Sequence, residues 1–134
     1  MKLLIQQDIC DQYSEDRLIL INHFTKYCTR ALNIDDDIMI YVINDRKKYG
    51  VKTTGAYYIN SNEVFIYAKN RAFVDVLRSI SHELVHVKQH QDGRDKKLAV
   101  LHFDSELEDE ANMCGMSLLN AYSEVMGHDI IYEN

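Results

Sequence analysis

Across residues 71–91 the apolar side chains Phe73, Val74, Val76, Leu77, Ile80, Leu84, Val85 and Val87 recur at helical spacing and cover far more than one stripe. A surface helix needs an apolar band only about 100° wide. A helix wrapped this broadly has to lie deep in its domain, so the rest of the chain must supply the layers around it. Asn70 has the chemistry of an N-cap, and Gly93 is suited to the left-handed residue that stops a helix.

The flanking segments read as those layers. Residues 11–32 carry Leu18, Ile21, Phe24, Thr25, Cys28 and Leu32 near a helical period. Ser14-Glu15-Asp16 puts negative charge at the start of that helix, the positive end of its dipole. A turn follows over 33–37. Its acidic residues Asp35, Asp36 and Asp37 lack the alternating ligands, glycine and distal Glu of a calcium loop. Residues 38–43 form a near-continuous apolar, β-branched run, expected to be a strand buried on both faces. A charged loop spans 45–52. Residues 56–59 and 63–68 then flank Asn60-Ser61-Asn62 as a β-hairpin.

Beyond the central helix lies a basic loop over 94–100, with 98–101 a short ordered piece. Ser105 and Glu108 fit a capping box opening a helix to about residue 126, with Leu107, Ala111, Cys114, Leu118, Leu119 and Tyr122 on one side and Gly127 at its end. The tail over 128–132 is expected to dock in extended form. The sum is a single α+β domain over residues 1–134, with an N-terminal helix, a small, mostly antiparallel sheet containing a hairpin, a central helix and a C-terminal helix.

Composition narrows the function. A net charge of −6 argues against a general phosphate-binding surface, so no nucleic-acid partner is expected. Cys10, Cys28 and Cys114 are odd in number and contain no Cys-x-x-Cys pair, which disfavours both a disulfide framework and a thiolate metal site. The apolar run at residues 1–5 turns polar at Gln6-Gln7-Asp8, too soon for a signal-peptide core, and no segment is long enough to span a bilayer. A cytoplasmic location without a membrane partner is the expectation. Absence of proline and of any Gly/Ser-rich linker fits one compact unit.

The central helix carries His82-Glu83-Leu84-Val85-His86. Four residues are about one turn, so His82 and His86 project from one face and can take two positions of a tetrahedral zinc ion. Glu83 is left to act as general base toward a water at an open position of that ion. Downstream candidates for a third ligand are His90, Asp92, His102, Asp104 and the carboxylates of Glu106, Glu108, Asp109 and Glu110. Three consecutive turns of one helix cannot wrap a tetrahedral ion, which counts against His90. Asp92 stands where the long zincin motif with a glycine turn places its last ligand, but that motif has glycine where this chain has Gln89.

On the second helix, Glu108-Asp109-Glu110-Ala111-Asn112, followed by Cys114-Gly115 and Leu118-Leu119, resembles the ligand helix of the glutamate-zincins, and of the ImmA/IrrE-like peptidases in particular. The resemblance covers the two helices, residues 73–121. It implies a zincin-like fold, a single zinc ion held by His82, His86 and Glu108, and Asn112 hydrogen-bonding a ligand histidine. Glu106 and Glu110 remain rivals to Glu108. The family's Leu-Leu-Met-Pro ending is absent, and no helix-turn-helix module is joined to the chain.

The implied activity is zinc-dependent cleavage of a restricted protein or peptide substrate, with a regulatory protein partner to hold it in check. The alternatives are a zincin-fold protein-binding module in which zinc is a structural clamp, and a non-peptide amidase. Tyr57, Tyr58, Tyr67, Tyr122 and His128 are candidate oxyanion donors. Strand 63–68 is a candidate substrate-binding edge, with an interior strand as its other reading.

Overall fold

The computed structural model describes residues 1–94 and 105–132. The elements run β1 (Lys2–Ile5), α1 (Gln7–Gln12), α2 (Glu15–Ala31), β2 (Met39–Ile43), α3 (Arg46–Tyr49), β3 (Gly55–Tyr58), β4 (Glu63–Tyr67), α4 (Phe73–Gln91), α5 (Ser105–Met126) and α6 (His128–Tyr132). The four strands form one sheet in the order β1-β2-β4-β3. The class is α+β, and among the described residues no helix is long and apolar enough to cross a membrane.

The sheet is mixed, which corrects the mostly antiparallel expectation. β1 pairs with β2 in parallel, Leu3 opposite Ile40, and β2 pairs with β4 in parallel, Ile40 opposite Val64. Only the hairpin β3–β4 is antiparallel, Tyr57 opposite Val64. Two features hidden in the sequence produce this. Residues 2–5 form a strand, and helix α2 carries the chain back so that β2 lies parallel beside it. The chain then passes out to β3 at the edge, and the hairpin returns β4 to the inside against β2. Strand 63–68 is therefore interior, and β3 is the edge.

Alternation along β2 and β4 sorts the side chains onto two faces. Ile40, Val42, Val64 and Ile66 enter the main core with Ile21, Phe24 and Cys28 of α2, the apolar residues of α4, and Leu119 and Tyr122 of α5. On the other face Ile43 and Phe65 meet Tyr41, Tyr49 and Tyr58 in an aromatic layer, with the Tyr41 and Phe65 rings stacked at 4.9 Å. Strand β2 is covered on both sides by this arrangement, although Met39 and Tyr41 stay half-exposed.

Helix α4 is the deepest element, with Val76, Leu77, Ile80, Leu84 and Val87 fully buried. It starts at Phe73 rather than 71. Asn70 is no N-cap: it takes a left-handed conformation, and its N–H donates to Gln12 Oε1 at 2.9 Å. Gly93 does stop the helix, with φ +75°. Ser14 caps α2 by accepting from the Arg17 N–H. The expected loop at 45–52 contains α3, because Asp45 accepts from the N–H groups of Lys47 and Lys48. The tail is helical rather than extended, with Ile131 buried. The short ordered piece expected at 98–101 lies outside the described residues.

Helix α5 buries Ala111, Gly115, Leu119 and Tyr122, whereas Cys114 is exposed. Gly115 is where α5 crosses α4. A Cβ there would lie 3.1 Å from Ser81 Oγ and 3.2 Å from the His82 backbone nitrogen. Backbone does not yield cheaply, so Gly115→Ala should push the helices apart. We expect a loss of roughly 1–3 kcal/mol in chemical denaturation, and a loss under 0.5 kcal/mol, roughly what a neutral surface change gives, would mean the crossing is looser than this.

Candidate metal centre

One turn of α4 separates His82 from His86, and their rings stand nearly perpendicular with centroids 4.8 Å apart. Glu108, at the start of α5, reaches across to both. Its Oε1 lies 2.7 Å from His82 Nε2, and its Oε2 lies 2.9 Å from His86 Nε2. The three residues offer ligand atoms within 4.8 Å of one another. Glu108 thus points at the histidines, not back toward Ser105 as a capping box would have it.

The rivals are turned elsewhere. Glu110 pairs with Arg94 and accepts from Gln89 Nε2 at 3.1 Å, and these donors hold its carboxyl below the usual range. Glu106 is exposed and outside the convergent group. Asp92 pairs with Lys88, and His90 packs edge-on to the Tyr57 ring. His102 and Asp104 lie outside the described residues. Asn112, one turn beyond Glu108, hydrogen-bonds His82.

Gln89 went unnoticed in the sequence except as a missing glycine. It is buried, and its amide nitrogen donates to the Leu107 carbonyl at 2.9 Å and to Glu110. Those two acceptors fix the orientation of the amide, so its oxygen is the atom facing His86 Nδ1 at 2.8 Å. An amide oxygen only accepts, hence Nδ1 carries the proton. Neutral His86 then presents a bare Nε2 lone pair to a carboxylate oxygen 2.9 Å away. Two acceptors so close require a cation between them, a proton or a metal.

The donor set suits zinc: two imidazole nitrogens and a carboxylate, each bonding at about 2.0–2.2 Å, with a fourth position open. Tetrahedral ligand atoms lie about 3.4 Å apart at such bond lengths, between the 2.7 and 2.9 Å contacts of Glu108 and the 4.8 Å within which all three groups fall. Burial, opposed by Glu108, pulls His82 below the ordinary imidazole range, which disfavours a proton on His82 at its own contact with Glu108.

Glu83 shares the helix but not the convergence. It is 7% exposed, and among the described residues no hydrogen bond reaches its carboxylate. Burial pushes its carboxyl up to about 7, with nearby His86 opposing the rise and Glu108 adding to it. Gly55, first residue of β3, makes room for it: a Cβ there would lie 3.0 Å from Glu83 Cγ. A cleft of about 550 Å³ opens over these groups, lined also by Thr53, Thr54, Arg71, Arg78 and Ser79.

None of the five candidate oxyanion donors lines that cleft. Tyr122 is buried and bonded to His23 Nδ1 at 2.6 Å, Tyr58 donates to the Tyr49 carbonyl, and His128 meets Ser123 Oγ. Tyr67 lies under the Arg46 guanidinium, and the Tyr57 hydroxyl is directed toward Asn62. No family model matches this chain, and no curated protein or solved structure does.

The Glu83 carboxyl gives the metal-free protein a pH dependence of known sign. Its folded pKa lies above the ordinary 4.5, so folding takes up a proton between about 4.5 and 7 and stability falls as pH rises through that window. Glu83→Gln removes the loss. In chelator, the variant should be more stable than the parent at pH 8, by about 3 kcal/mol, and the gap should close near pH 4.5. A gap that does not change with pH would contradict this.

Proposed function

We propose that the protein is a zinc-dependent peptidase acting on a restricted protein or peptide substrate, built on a zincin-like arrangement of His82, His86 and Glu108. The observation that carries this reading is Glu83, a buried carboxylate that has no hydrogen-bond partner among the described residues and lines the cleft beside the three ligands yet outside their convergence. A structural zinc clamp has no use for such a group, and burying it costs stability. A hydrolase needs it, because a carboxylate placed beside the metal can accept the proton of the attacking water and return it to the leaving amine.

One zinc ion would supply Lewis acidity and activate the water. The chain's own residues do the rest. Gln89 holds the His86 ring with Nε2 toward the ion, and Asn112 bonds the His82 side chain. Gly55 leaves the Glu83 side chain space to stand in the cleft. Strand β3 ends the sheet, and residues 53–55, leading into it, line the cleft. An extended peptide laid along β3 by strand addition would bring its backbone over Glu83. A cleft of this size takes only a short stretch of chain, in keeping with narrow specificity.

Protein purified without chelator and re-supplied with zinc should hold one equivalent. Glu83→Gln should keep that zinc and the fold while lowering peptide hydrolysis by at least about 100-fold; hydrolysis that survives the substitution would remove Glu83 as the base, whereas a zinc-loaded parent protein that hydrolyses no peptide would return it to the clamp reading. Gln89→Leu should weaken zinc about 10- to 100-fold in a competition titration with a chromophoric chelator. An unchanged affinity would show that Gln89 does not orient His86.

A further inference from the structure

Two guanidinium groups share the cleft with the metal ligands, and the mechanism above uses neither. Arg78 stands one turn before His82 on α4, about 6 Å along the helix axis, and lines the cleft with a side chain 43% exposed. Arg71 precedes the helix and is held in place by three neutral oxygens: the carbonyls of Tyr67 and Asp75 at 2.6 and 3.0 Å, and Ser79 Oγ at 2.9 Å. Ser79 is itself one turn before Glu83 and lines the same cleft. Asp75 Oδ1 pairs with Arg78 at 2.6 Å, so two cations face one carboxylate at this end of the site. Glu83 and Glu108 lie at the other end, where a bound dication would oppose their charge.

We propose that Arg78 and Arg71 form a receptor for a substrate carboxylate, so that the cleft selects peptides bearing that anion one or two residues from the cleaved bond. The inference rests on the peptidase reading of the same centre. The spacing suits it. A carboxylate on the residue next to the reacting carbonyl lies about 4–7 Å away, comparable with one turn of α4. The geometry supports α-carboxylate and acidic side chain equally, since both offer two oxygens to a guanidinium fork.

The test uses zinc-loaded full-length protein and three peptide hydroxamates of one backbone, each anchored by its hydroxamate on the metal. One ends in a free α-carboxylate, the second in a carboxamide, and the third is the carboxamide with Glu in place of Gln. Calorimetric titration should give at least one carboxylate compound an advantage of about 10-fold or more over the neutral one, shrinking at high salt. Which compound holds the advantage identifies the source of the anion. In Arg78→Gln the advantage should fall below about 3-fold with the neutral compound unmoved, and Arg78→Lys should retain part of it.

Equal binding of all three by the parent protein would overturn the receptor while leaving the metal centre standing. Equal weakening of all three in Arg78→Gln would do the same, because it reports a bracing role only. If none binds the zinc-loaded protein, the peptidase reading and the receptor fall together.

Discussion

The site depends on how closely α5 can approach α4. At Gly115 the two helices come near enough that a Cβ would press on the backbone of His82. Two turns earlier on α5, the same approach delivers Glu108 between the two imidazoles. The two histidines on α4 are fixed relative to each other by one helical turn, but Glu108 is fixed only by this crossing. Gln89 ties the crossing near its other end, joining α4 to the Leu107 carbonyl and to Glu110 while it sets the His86 tautomer. One buried amide thus acts on packing and on ligand chemistry together.

The burial of α4 explains why the helix can serve as a platform. Its apolar side chains are held by the sheet on one side and by α2 and α5 on others, leaving the His82–His86 edge at the mouth of a cleft. Side chains carried on such a rigid element would lose little on binding a metal, since packing and hydrogen bonds already restrict their rotamers. The hairpin adds the remaining wall. Its first residue, Gly55, lies close enough to Glu83 that a Cβ there would press on the Glu83 side chain at 3.0 Å.

What could be read from the residues follows the range of the interactions involved. His82, Glu83 and His86 are related by helical geometry alone, and the hairpin by local turn chemistry, so both were legible. Glu108 was nameable only through resemblance, because its choice over Glu106 and Glu110 depends on how α5 rotates against α4, a tertiary matter. The parallel pairing was hidden for a similar reason: Lys2–Ile5 is a short strand with half-exposed residues, and its partner is over thirty residues away. Asn70 satisfied the local rule for an N-cap, but Gln12, far along the chain, takes its N–H, and the helix begins three residues later. Gln89 gave no local signal beyond being polar on a face that should be buried.

That last signal has general use within this fold. On α4 the buried polar residues are Ser79, Ser81, Glu83 and Gln89, all within four residues of His82 or His86. Ser79 anchors Arg71, Ser81 donates to the Arg78 carbonyl beneath the Gly115 crossing, and Gln89 orients His86. Each of these three has its hydrogen bond, as burial demands. Glu83 alone among them has none from the described residues. Among the described residues, then, the one buried carboxylate of this helix without a hydrogen bond is the one that stands in the cleft beside the three converging side chains, which is the observation the proposed reading explains.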